Sequence, residues 1–358
     1  MIYFVLSRRN SGSIKNFLRS GGEQFEGRIK IILWESMEAL RTIRAGTFIF
    51  SDLDLLSPEQ REIAREIGCQ LRKFYPHVQL INDPATVLLR YDLLKKMYED
   101  GINRFNVARA TESLTHLRFP VFVRQADRHT GPLTKLIDNL KDLERNIRML
   151  NFLGYPSHDL LVIEFLDTSG SAGYFVKYSA FVLGNRVMPR YLNYGTGWMV
   201  KSTIGVSDTL MKSKQMEVEE FMRDNPHEQW LRQIFTLSGI RYGRADYAMV
   251  DGTLQLWEIN LNPVFVRPPR DSRKDSAQQR HMREAFYSQF IEALQEIDSE
   301  SDEMIQLKIS DSALATMRFS LRRKLTEKFH NRLVKKKIRY RILHSICFGL
   351  ARLWTKFF

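Results

Sequence analysis

The run RYGRADYAMVDGTLQLWEINLNP, residues 241–263, predicts a β-hairpin with an unusual polar face. Apolar residues fill both halves, and the pair Asp251–Gly252 between them is a favoured two-residue hairpin turn. In the second half, Glu258, Asn260 and Asn262 lie two residues apart, and residues two apart in a strand face the same side. A carboxylate and two amides therefore line one face of an otherwise apolar strand.

The two strands of this hairpin predict a metal and phosphate site. Antiparallel pairing about the turn places Asp246 beside Glu258 or one pair away, and Arg244 shares the face of Asp246. Asp246, Glu258 and Asn260 offer hard oxygen ligands of the kind that Mg²⁺ prefers. Arg244 would neutralise charge on a phosphoryl group. The alternative is a surface hairpin with a solvated polar face, which the apolar strand and the Asn-x-Asn-Pro ending disfavour.

Residues 1–85 alternate short apolar runs with helical patterns, which predicts an α/β domain with a mainly parallel sheet. The apolar runs are IYFVL, KIILW, TFIFSDL and VQLIN, and helical patterns such as SMEALRTI separate them. Ser57-Pro58 is a good helix start. The six-residue apolar N-terminus lacks a basic segment before it, so it is interpreted as a first strand and not as a signal peptide.

Residues 86–298 differ in kind, because antiparallel hairpins replace the strand–helix alternation. The patterns predict helices over 87–100, 133–150 and 277–298, a strand over 121–124, and a first hairpin that turns at Gly184–Asn185. We therefore place a domain boundary near residue 85. The second domain, residues 86–298, is expected to be α+β, and residues 299–358 are expected to form a linker and a basic tail.

The composition indicates a globular chain without a membrane span. Of its 358 residues, 44% are hydrophobic, which excludes a disordered chain, and no stretch approaches the roughly 18 apolar residues of a spanning helix. Cys69 and Cys347 are far apart and lack metal-ligand spacing, so we expect a reduced, cytoplasmic setting. The sequence contains no P-loop, no G-x-G-x-x-G and no G-x-S-x-G or H-E-x-x-H motif.

The positive charge of the chain is concentrated in residues 311–358. This segment holds 13 of the 54 Lys and Arg residues and 2 of the 41 Asp and Glu residues, although the net charge of the whole chain is +13. Aliphatic and aromatic residues are interleaved with the basic ones, which predicts a basic amphipathic helix or helix pair. Three uses remain open: an anionic membrane surface or a protein partner, a solvated structural helix, and nucleic acid. The apolar ending ICFGLARLWTKFF disfavours nucleic acid.

The passage GRAD at residues 243–246, followed by LWEINLNP at residues 256–263, resembles the C-terminal signature of the ATP-grasp superfamily. The resemblance implies an ATP-grasp fold of two subdomains after the α/β domain, with the small subdomain at about 105–165. It implies that Asp246, Glu258 and Asn260 hold Mg²⁺. It also implies that Arg244 contacts the γ-phosphate or an acyl phosphate and that Asn262 faces the substrate.

Two earlier segments resemble other parts of the same superfamily. FPVFVR at 119–124 resembles the strand that delivers a basic side chain to the phosphates, with Arg124 where lysine is usual. QADRHTGP follows it in the place of a glycine-rich loop, and Arg128 and His129 would contribute phosphate or substrate contacts there. LVIEFLD at 161–167 resembles the adenine-binding linker. The resemblance implies that the backbone of Glu164, Phe165 and Leu166 pairs with adenine and that Asp167 bonds the ribose.

The chain departs from the superfamily pattern at two places. The lysine that usually precedes the small subdomain is absent, and Arg90 or Lys95 would have to replace it. The strand after the adenine linker reads Lys177-Tyr178-Ser179 in place of an Asp-x-Arg pattern, so Lys177 becomes the candidate for a phosphate contact. Trp198 and Lys201 belong either to a lid over the substrate or to ordinary packing.

The resemblance implies an enzyme that uses ATP and Mg²⁺. It would activate the carboxylate of a small-molecule or peptide substrate as an acyl phosphate and ligate it to an amine, forming a carbon–nitrogen bond. Two alternatives stay open because of the departures: a nucleotide-binding protein, recruited to a membrane or a partner, with lost or altered catalysis, and a kinase with the same fold.

Overall fold

The structure, a computed structural model, describes residues 1–19, 21–129, 131–169, 173–200, 207–264 and 277–318. Within these ranges the strands are β1 (Ile2–Leu6), β2 (Ile29–Leu33), β3 (Thr42–Arg44), β4 (Thr47–Phe50), β5 (Leu80–Ile81), β6 (Val107–Arg109), β7 (Val121–Gln125), β8 (Leu160–Glu164), β9 (Phe175–Leu183), β10 (Arg186–Gly195), β11 (Tyr242–Val250), β12 (Thr253–Asn260) and β13 (Met304–Gln306).

The same ranges contain the α-helices α1 (Gly12–Arg19), α2 (Pro58–Phe74), α3 (Arg90–Glu99), α4 (Leu140–Phe152), α5 (Asp208–Ser213), α6 (Gln215–Asp224), α7 (Glu228–Ser238), α8 (Ala277–Ile297) and α9 (Asp311–Met317). Short 3₁₀ helices occur at Arg8–Asn10, Glu23–Phe25, Trp34–Leu40, Leu53–Leu55 and Ser157–Asp159. No helix in the described part of the chain combines the length and the apolar character that crossing a membrane requires.

The N-terminal sheet is parallel, with strand order β2-β1-β4-β5, as the alternating pattern predicts. Every residue of β1 and β4 is buried, since helices and neighbouring elements cover both faces of a parallel sheet. Ser57 caps α2: its hydroxyl accepts from the Gln60 amide, and the Gln60 side chain accepts from the Ser57 amide. The carboxyl ends of β1 and β4 lead directly into Ser7 and into residues 51–54, which face the site described below.

The helix predicted over SMEALRTI is wrong. Residues Trp34–Leu40 form 3₁₀ turns, and Thr42–Arg44 form β3, which pairs with β13 from near the C-terminus. The buried residues Trp34, Met37 and Leu40 are spaced by three, which suits the three-residue turn of a 3₁₀ helix. The strand that pairs with β3, β13, lies some 260 residues away in the sequence, so the local pattern does not indicate this pairing.

Residues 299–318, which the sequence assigns to a linker and tail, pack on the N-terminal domain. The amide of Ala45 donates to the carbonyl of Glu303, and α9 lies against α2 and the 3₁₀ turns, with Leu314 and Met317 buried. Their apolar side chains belong to the buried core in this part of the molecule. Residues 319–358, the rest of the predicted basic tail, lie outside the described residues.

The small sheet has the order β6-β8-β7, is antiparallel, and falls within residues 105–165. Helix α4 packs on it through Leu143, Ile147 and Leu150. The helix was predicted from residue 133 but begins at Leu140, capped by Asn139. Residues 132–137 instead bridge to β7, at Arg124 and Val121, so sheet pairing prevails over the helical pattern there.

The large sheet is antiparallel, with the order β10-β9-β11-β12. Its second hairpin turns at Asp251 and Gly252, where φ is +48° and +72°, the left-handed values of a two-residue hairpin turn. Asp246 lies opposite Glu258, and Arg244 lies opposite Asn260, which confirms the register predicted from the sequence. A register shift follows directly after Asp246.

Aromatic side chains cover part of the large sheet beneath α6 and α7. Tyr178 of β9 stacks on Tyr247 of β11 with ring centroids 5.4 Å apart, and Phe221 and Trp230 pack against this pair. His227 Nδ1 lies 3.1 Å from the Tyr247 hydroxyl. Burial in this cluster lowers the pKa of His227.

We expect the free energy of unfolding to fall as the pH drops below about 6.5, the ordinary pKa of histidine. The lowered pKa means that the unfolded chain binds a proton at His227 more readily than the folded chain, so the stability that neutral His227 contributes is complete above that pH and is lost below it. Urea unfolding at a series of pH values measures this. His227→Gln should flatten the dependence, whereas His158→Gln, at an exposed position, serves as the matched control.

Candidate functional site

A cleft of about 430 Å³ opens between the small sheet and the large sheet. Both sheets contribute side chains to it, and so does the loop after β7. Charged and polar groups form one part of its lining: Arg124, His129, Lys177, Arg244, Asp246, Glu258 and Asn260. Six aromatic residues form another part: Phe105, Phe122, Phe165, Phe175, Trp198 and Trp257. The cleft therefore combines a concentrated charge cluster with an aromatic surface.

Asp246 is paired with two cations. Arg244 Nε and Nη2 donate to its two carboxylate oxygens at 2.9 and 3.1 Å, and Lys177 Nζ donates at 3.2 Å. The Ser179 hydroxyl also donates, at 2.8 Å. Burial alone would lower the pKa of Arg244, but the Asp246 carboxylate outweighs it and the pKa is raised. The sequence did not single out Ser179, because a serine facing an acid across two strands leaves no local pattern.

Glu258 is also paired with two cations. Arg90 Nη2 and Arg124 Nη2 both donate to its Oε2 at 2.7 Å. Burial would raise the pKa of Glu258, but the charges of Arg124 and Arg90 prevail and hold it well below its usual range. For Arg124, burial and the charge of Arg90 lower the pKa to about 10. The Nε atoms of both arginines are buried and have no partner among the described residues, so donor capacity remains.

His129 joins this cluster to the N-terminal domain. Its Nε2 lies 2.9 Å from Oδ2 of Asp54, and its Nδ1 lies 3.1 Å from Arg90 Nη2 and 3.8 Å from Glu258 Oε1. Burial lowers the pKa of His129, but Asp54 and Glu258 outweigh burial and raise it to about 9. Arg90 Nη2 lies nearer to Nδ1 than the Glu258 carboxylate does, so the ring lies between Asp54 and Arg90. The sequence did not predict a role for Asp54, which is 75 residues away in the chain.

The two asparagines of the WEINLNP strand have different surroundings. Asn260 lines the cleft, and its Oδ1 accepts from the Asn262 amide at 2.9 Å. Asn262 instead donates to the carboxylate of Asp52 at 3.2 Å and to the carbonyl of Asn10 at 3.3 Å. Burial raises the pKa of Asp52, although Asn10 and Ser7 also donate to it. Asn262 thus connects the end of β12, through hydrogen bonds, to residues near the carboxyl ends of β1 and β4.

The segment resembling the adenine linker runs along one side of the cleft. Phe165 and Leu166 line it, whereas the carboxylate of Glu164 lies away from it and is bound by Arg118 and by the Asn106 amide. The amides of Glu164 and Phe165 already donate within the small subdomain. The Leu166 amide has no acceptor among the described residues. Asp167 is exposed next to the lining residues.

The remaining predicted basic residues are scattered. Arg90 is not part of the cleft lining, but its side chain, which is 4% exposed, forms an ion pair with Glu258. Lys95 donates to the Asn106 side chain at 3.3 Å, away from the cleft. Arg128 contributes its carbonyl, which accepts from Arg90 and Arg124 at 3.1 Å. Lys201 lies outside the described residues.

Trp198 packs into the cleft. Its ring centroid lies 5.0 Å from that of Phe122 and 5.8 Å, edge to face, from that of Phe165. Trp198, which follows β10, therefore contacts β7 and the residue after β8 and joins their rings into one aromatic surface.

The donor chemistry of the charge cluster fits a magnesium ion. Asp246, Glu258 and Asn260 supply two carboxylates and an amide oxygen on one face of one hairpin. Clusters of three or more His, Cys, Asp and Glu with metal-holding geometry do not occur among the described residues. Each carboxylate is balanced by cations, so a metal would need another anion to draw those cations away.

The sequence matches no family model, and it matches no curated protein. Its fold is similar to that of D-alanine–D-alanine ligase from Bacillus anthracis, at 14% identity and a TM-score of 0.47, covering 83% of this chain and 97% of that one. It is also similar to the same ligase complexed with ATP, at 13% identity and a TM-score of 0.45, covering 83% and 96%.

A third similar structure is the RimK domain ATP-grasp protein from Sphaerobacter thermophilus, at 11% identity and a TM-score of 0.44, covering 80% of this chain and 100% of that one. In its overall fold, the chain is similar to ATP-grasp ligases.

Proposed function

We propose that this chain binds Mg·ATP in the cleft and uses it to activate a substrate carboxylate as an acyl phosphate, which an amine then attacks. The observation that carries the proposal is the convergence of Arg124, Lys177 and Arg244 with Asp246 and Glu258 beside an aromatic surface. A buried cluster of paired charges is costly to maintain unless it meets a ligand. The Nε donors of Arg90 and Arg124 have no partner among the residues that the structure describes. Oxygen-rich phosphates match guanidinium and ammonium donors.

The charge pairs suggest how the ligand is accommodated. A triphosphate competes for the cations that now neutralise the carboxylates, because phosphate oxygens accept the same charge-assisted hydrogen bonds. Arg124 and Lys177 would then contact phosphates, and Asp246, Glu258 and Asn260 would hold Mg²⁺. The ion would screen the phosphate charge. Ligand and metal thus replace the internal ion pairs without leaving a buried charge unpaired.

The aromatic part of the lining suits the base of ATP. Phe122, Phe165 and Trp198 form apolar walls, and the Leu166 amide, which has no acceptor within the described part of the chain, can donate to a ring nitrogen. The exposed Asp167 lies between two residues that line the cleft, where its carboxylate would accept from the hydroxyls of a ribose. The Glu164 side chain contributes differently: bound to Arg118, it holds β8 against the rest of the small subdomain.

The proposed chemistry needs positioning and charge neutralisation more than proton transfer. A carboxylate oxygen of the substrate attacks the γ-phosphorus, and the bond to the bridging oxygen breaks to release ADP. The amine then attacks the acyl carbon, inorganic phosphate leaves, and the amine loses a proton. Arg244 would neutralise the group in transfer, an effect that accounts for much of the rate in such reactions. No side chain needs to form a covalent bond.

Mg·ATP binding measured by calorimetry tests the proposal. We expect wild type to bind ATP more tightly with Mg²⁺ than with a chelator, and Asp246→Asn to lose that difference because the metal loses a carboxylate. Asp251→Asn, on the exposed turn of the same hairpin, is the matched control and should behave as wild type. Equal binding by wild type and Asp246→Asn under both conditions would contradict the site assignment.

Turnover separates the proposed ligase from other uses of the same site. With mixed carboxylates and amines, a ligase forms ADP, phosphate and an amide. A kinase forms ADP and a phosphorylated product without an amide. Tight binding of Mg·ATP without ADP formation across such a pool would favour a nucleotide-binding protein that has lost catalysis.

A further inference from the structure

The loop after β7, residues 126–129, is held by hydrogen bonds and ion pairs from two distant parts of the chain. Arg90 Nη1 donates to the carbonyl of Ala126 at 2.6 Å and to that of Arg128 at 3.1 Å. Arg124 Nη2 also donates to the carbonyl of Arg128. These contacts satisfy backbone carbonyls that a loop on the protein surface would leave to water. The loop therefore has a defined position relative to the cations of the cleft.

Two residues from the N-terminal part of the chain, Asp54 and Arg61, contact the same loop. Asp54 belongs to the 3₁₀ turn after β4, is 9% exposed at its side chain, and contacts His129. Arg61 of α2 lies 4.0 Å from Asp127, which adds a weaker link. Of the two, the Asp54 contact is nearly buried and reaches a side chain that lines the cleft, so it bears on ligand binding more directly.

The contacts of the imidazole fix its orientation. Nδ1 faces Arg90 Nη2 at 3.1 Å. Nε2 faces the Asp54 carboxylate, which accepts its proton at 2.9 Å. A carboxylate behind a histidine commonly sets which nitrogen faces a site. Without Asp54, the ring would lose the contact that keeps it between Arg90 and the cleft.

We propose that Asp54 is a positioning residue for nucleotide binding, acting from the N-terminal domain through His129. It holds the ring against Arg90, so that His129, Arg90 and the loop carbonyls keep one arrangement at the edge of the phosphate-binding part of the cleft. The inference rests on the proposed function for its ligand. It also gives the N-terminal domain a part in the site, since the residue in question lies some 70 residues before Arg124.

The contact itself can be tested without nucleotide. Long-range ¹H–¹⁵N spectra report the tautomer of each of the eight histidines, and His129→Gln identifies the signal of His129. We expect that signal to show a proton on Nε2, to change in Asp54→Ala, and to be retained in Asp54→Asn, whose amide oxygen can still accept the proton. A His129 signal that is the same in Asp54→Ala and in wild type would overturn the inference.

The role in binding is tested by the dissociation constant for Mg·ATP. We expect Asp54→Ala and His129→Gln each to weaken binding by about tenfold, as is usual when a group that orients a ligand-contacting residue is lost. Asp54→Asn should stay within about threefold of wild type. The double variant should bind no more weakly than either single variant, because Asp54 acts through His129.

The controls separate positioning from a general loss of structure. Asp83→Ala, which breaks the ion pair with Arg72 elsewhere in the N-terminal domain, should leave nucleotide affinity unchanged. Additive effects of Asp54→Ala and His129→Gln, or wild-type affinity of Asp54→Ala, would overturn the inference. Failure of wild type to bind Mg·ATP would instead overturn the proposed function, and the histidine signal would still decide whether Asp54 positions the ring.

Discussion

Glu258→Gln is expected to lower the free energy of unfolding of the nucleotide-free protein by about 3 kcal/mol, because it leaves two buried guanidinium groups without their anion. Arg90 and Arg124 are 4% and 10% exposed at their side chains, and both donate to the same carboxylate oxygen. A glutamine oxygen can accept from one of them but carries no charge to offset either. Urea unfolding without nucleotide or metal measures the loss.

The same variant should recover stability when ATP is added without metal. In wild type, phosphates must displace Glu258 from Arg124, whereas in Glu258→Gln they meet cations that lack a counter-ion. We therefore expect ATP in a chelating buffer to raise the unfolding midpoint more in the variant than in wild type. With excess Mg²⁺ the order should reverse, since the variant has lost a metal ligand.

Glu164→Gln is the matched control for both effects. Glu164 is likewise a buried carboxylate, bound by Arg118 and by the amides of Asn106 and Arg118, but it lies away from the cleft. It should lose stability without any greater recovery from metal-free ATP. An equal recovery in the two variants would mean that phosphates do not reach Arg124, and it would contradict the placement of the triphosphate.

Local sequence patterns predicted the parts of the site that lie on one hairpin. The alternation of Glu258 and Asn260 with apolar residues, together with the turn at Asp251 and Gly252, determines which side chains share a face, so the pairing of Asp246 with Glu258 followed from counting residues. The parallel N-terminal sheet followed in the same way from its spacing of apolar runs.

The contacts that join distant segments could not be predicted in this way. Arg90 reaches Glu258 across 168 residues, and His129 reaches Asp54 across 75. Neither pair leaves a periodic signal, because the two partners of each pair lie on separate elements: Arg90 begins α3 and Glu258 is on β12, whereas Asp54 is in a 3₁₀ turn and His129 is in a loop. Asn262 shows the limit most clearly: strand alternation places it on the face of Glu258, but the chain turns after Asn260 and directs it to Asp52.

Replacing Arg244 is expected to separate catalysis from binding more sharply than any other change in the cleft. Its guanidinium binds Asp246 in the nucleotide-free structure and lines the cleft beside Asn260. If it neutralises the phosphoryl group during transfer, its charge stabilises the transition state more than it stabilises bound Mg·ATP. We expect Arg244→Leu to lower the rate of ADP formation by about 100-fold to 1,000-fold, while the dissociation constant for Mg·ATP changes by about threefold or less.

The measurement does not require the natural amine. Hydroxylamine attacks acyl phosphates, so a hydroxamate formed from a pool of carboxylates reports acyl-phosphate formation directly, and ADP is measured in the same samples. Arg109→Leu is the matched control, because its guanidinium stacks on Tyr91, with 4.0 Å to the ring centroid, outside the cleft lining. Arg244→Lys keeps the positive charge but loses the bidentate hydrogen bonding of a guanidinium, so its rate should lie between those of Arg244→Leu and wild type.

The pattern across these variants distinguishes two uses of Arg244. A residue that only holds ATP would lose affinity and rate together, and saturating ATP would restore the rate. A residue that stabilises the transferring group loses rate at saturating ATP, because its interaction strengthens only as charge develops. If Arg244→Leu turned over as wild type at saturating ATP, Arg244 would be a binding residue, and Lys177, the other cation on Asp246, would become the candidate for the catalytic role.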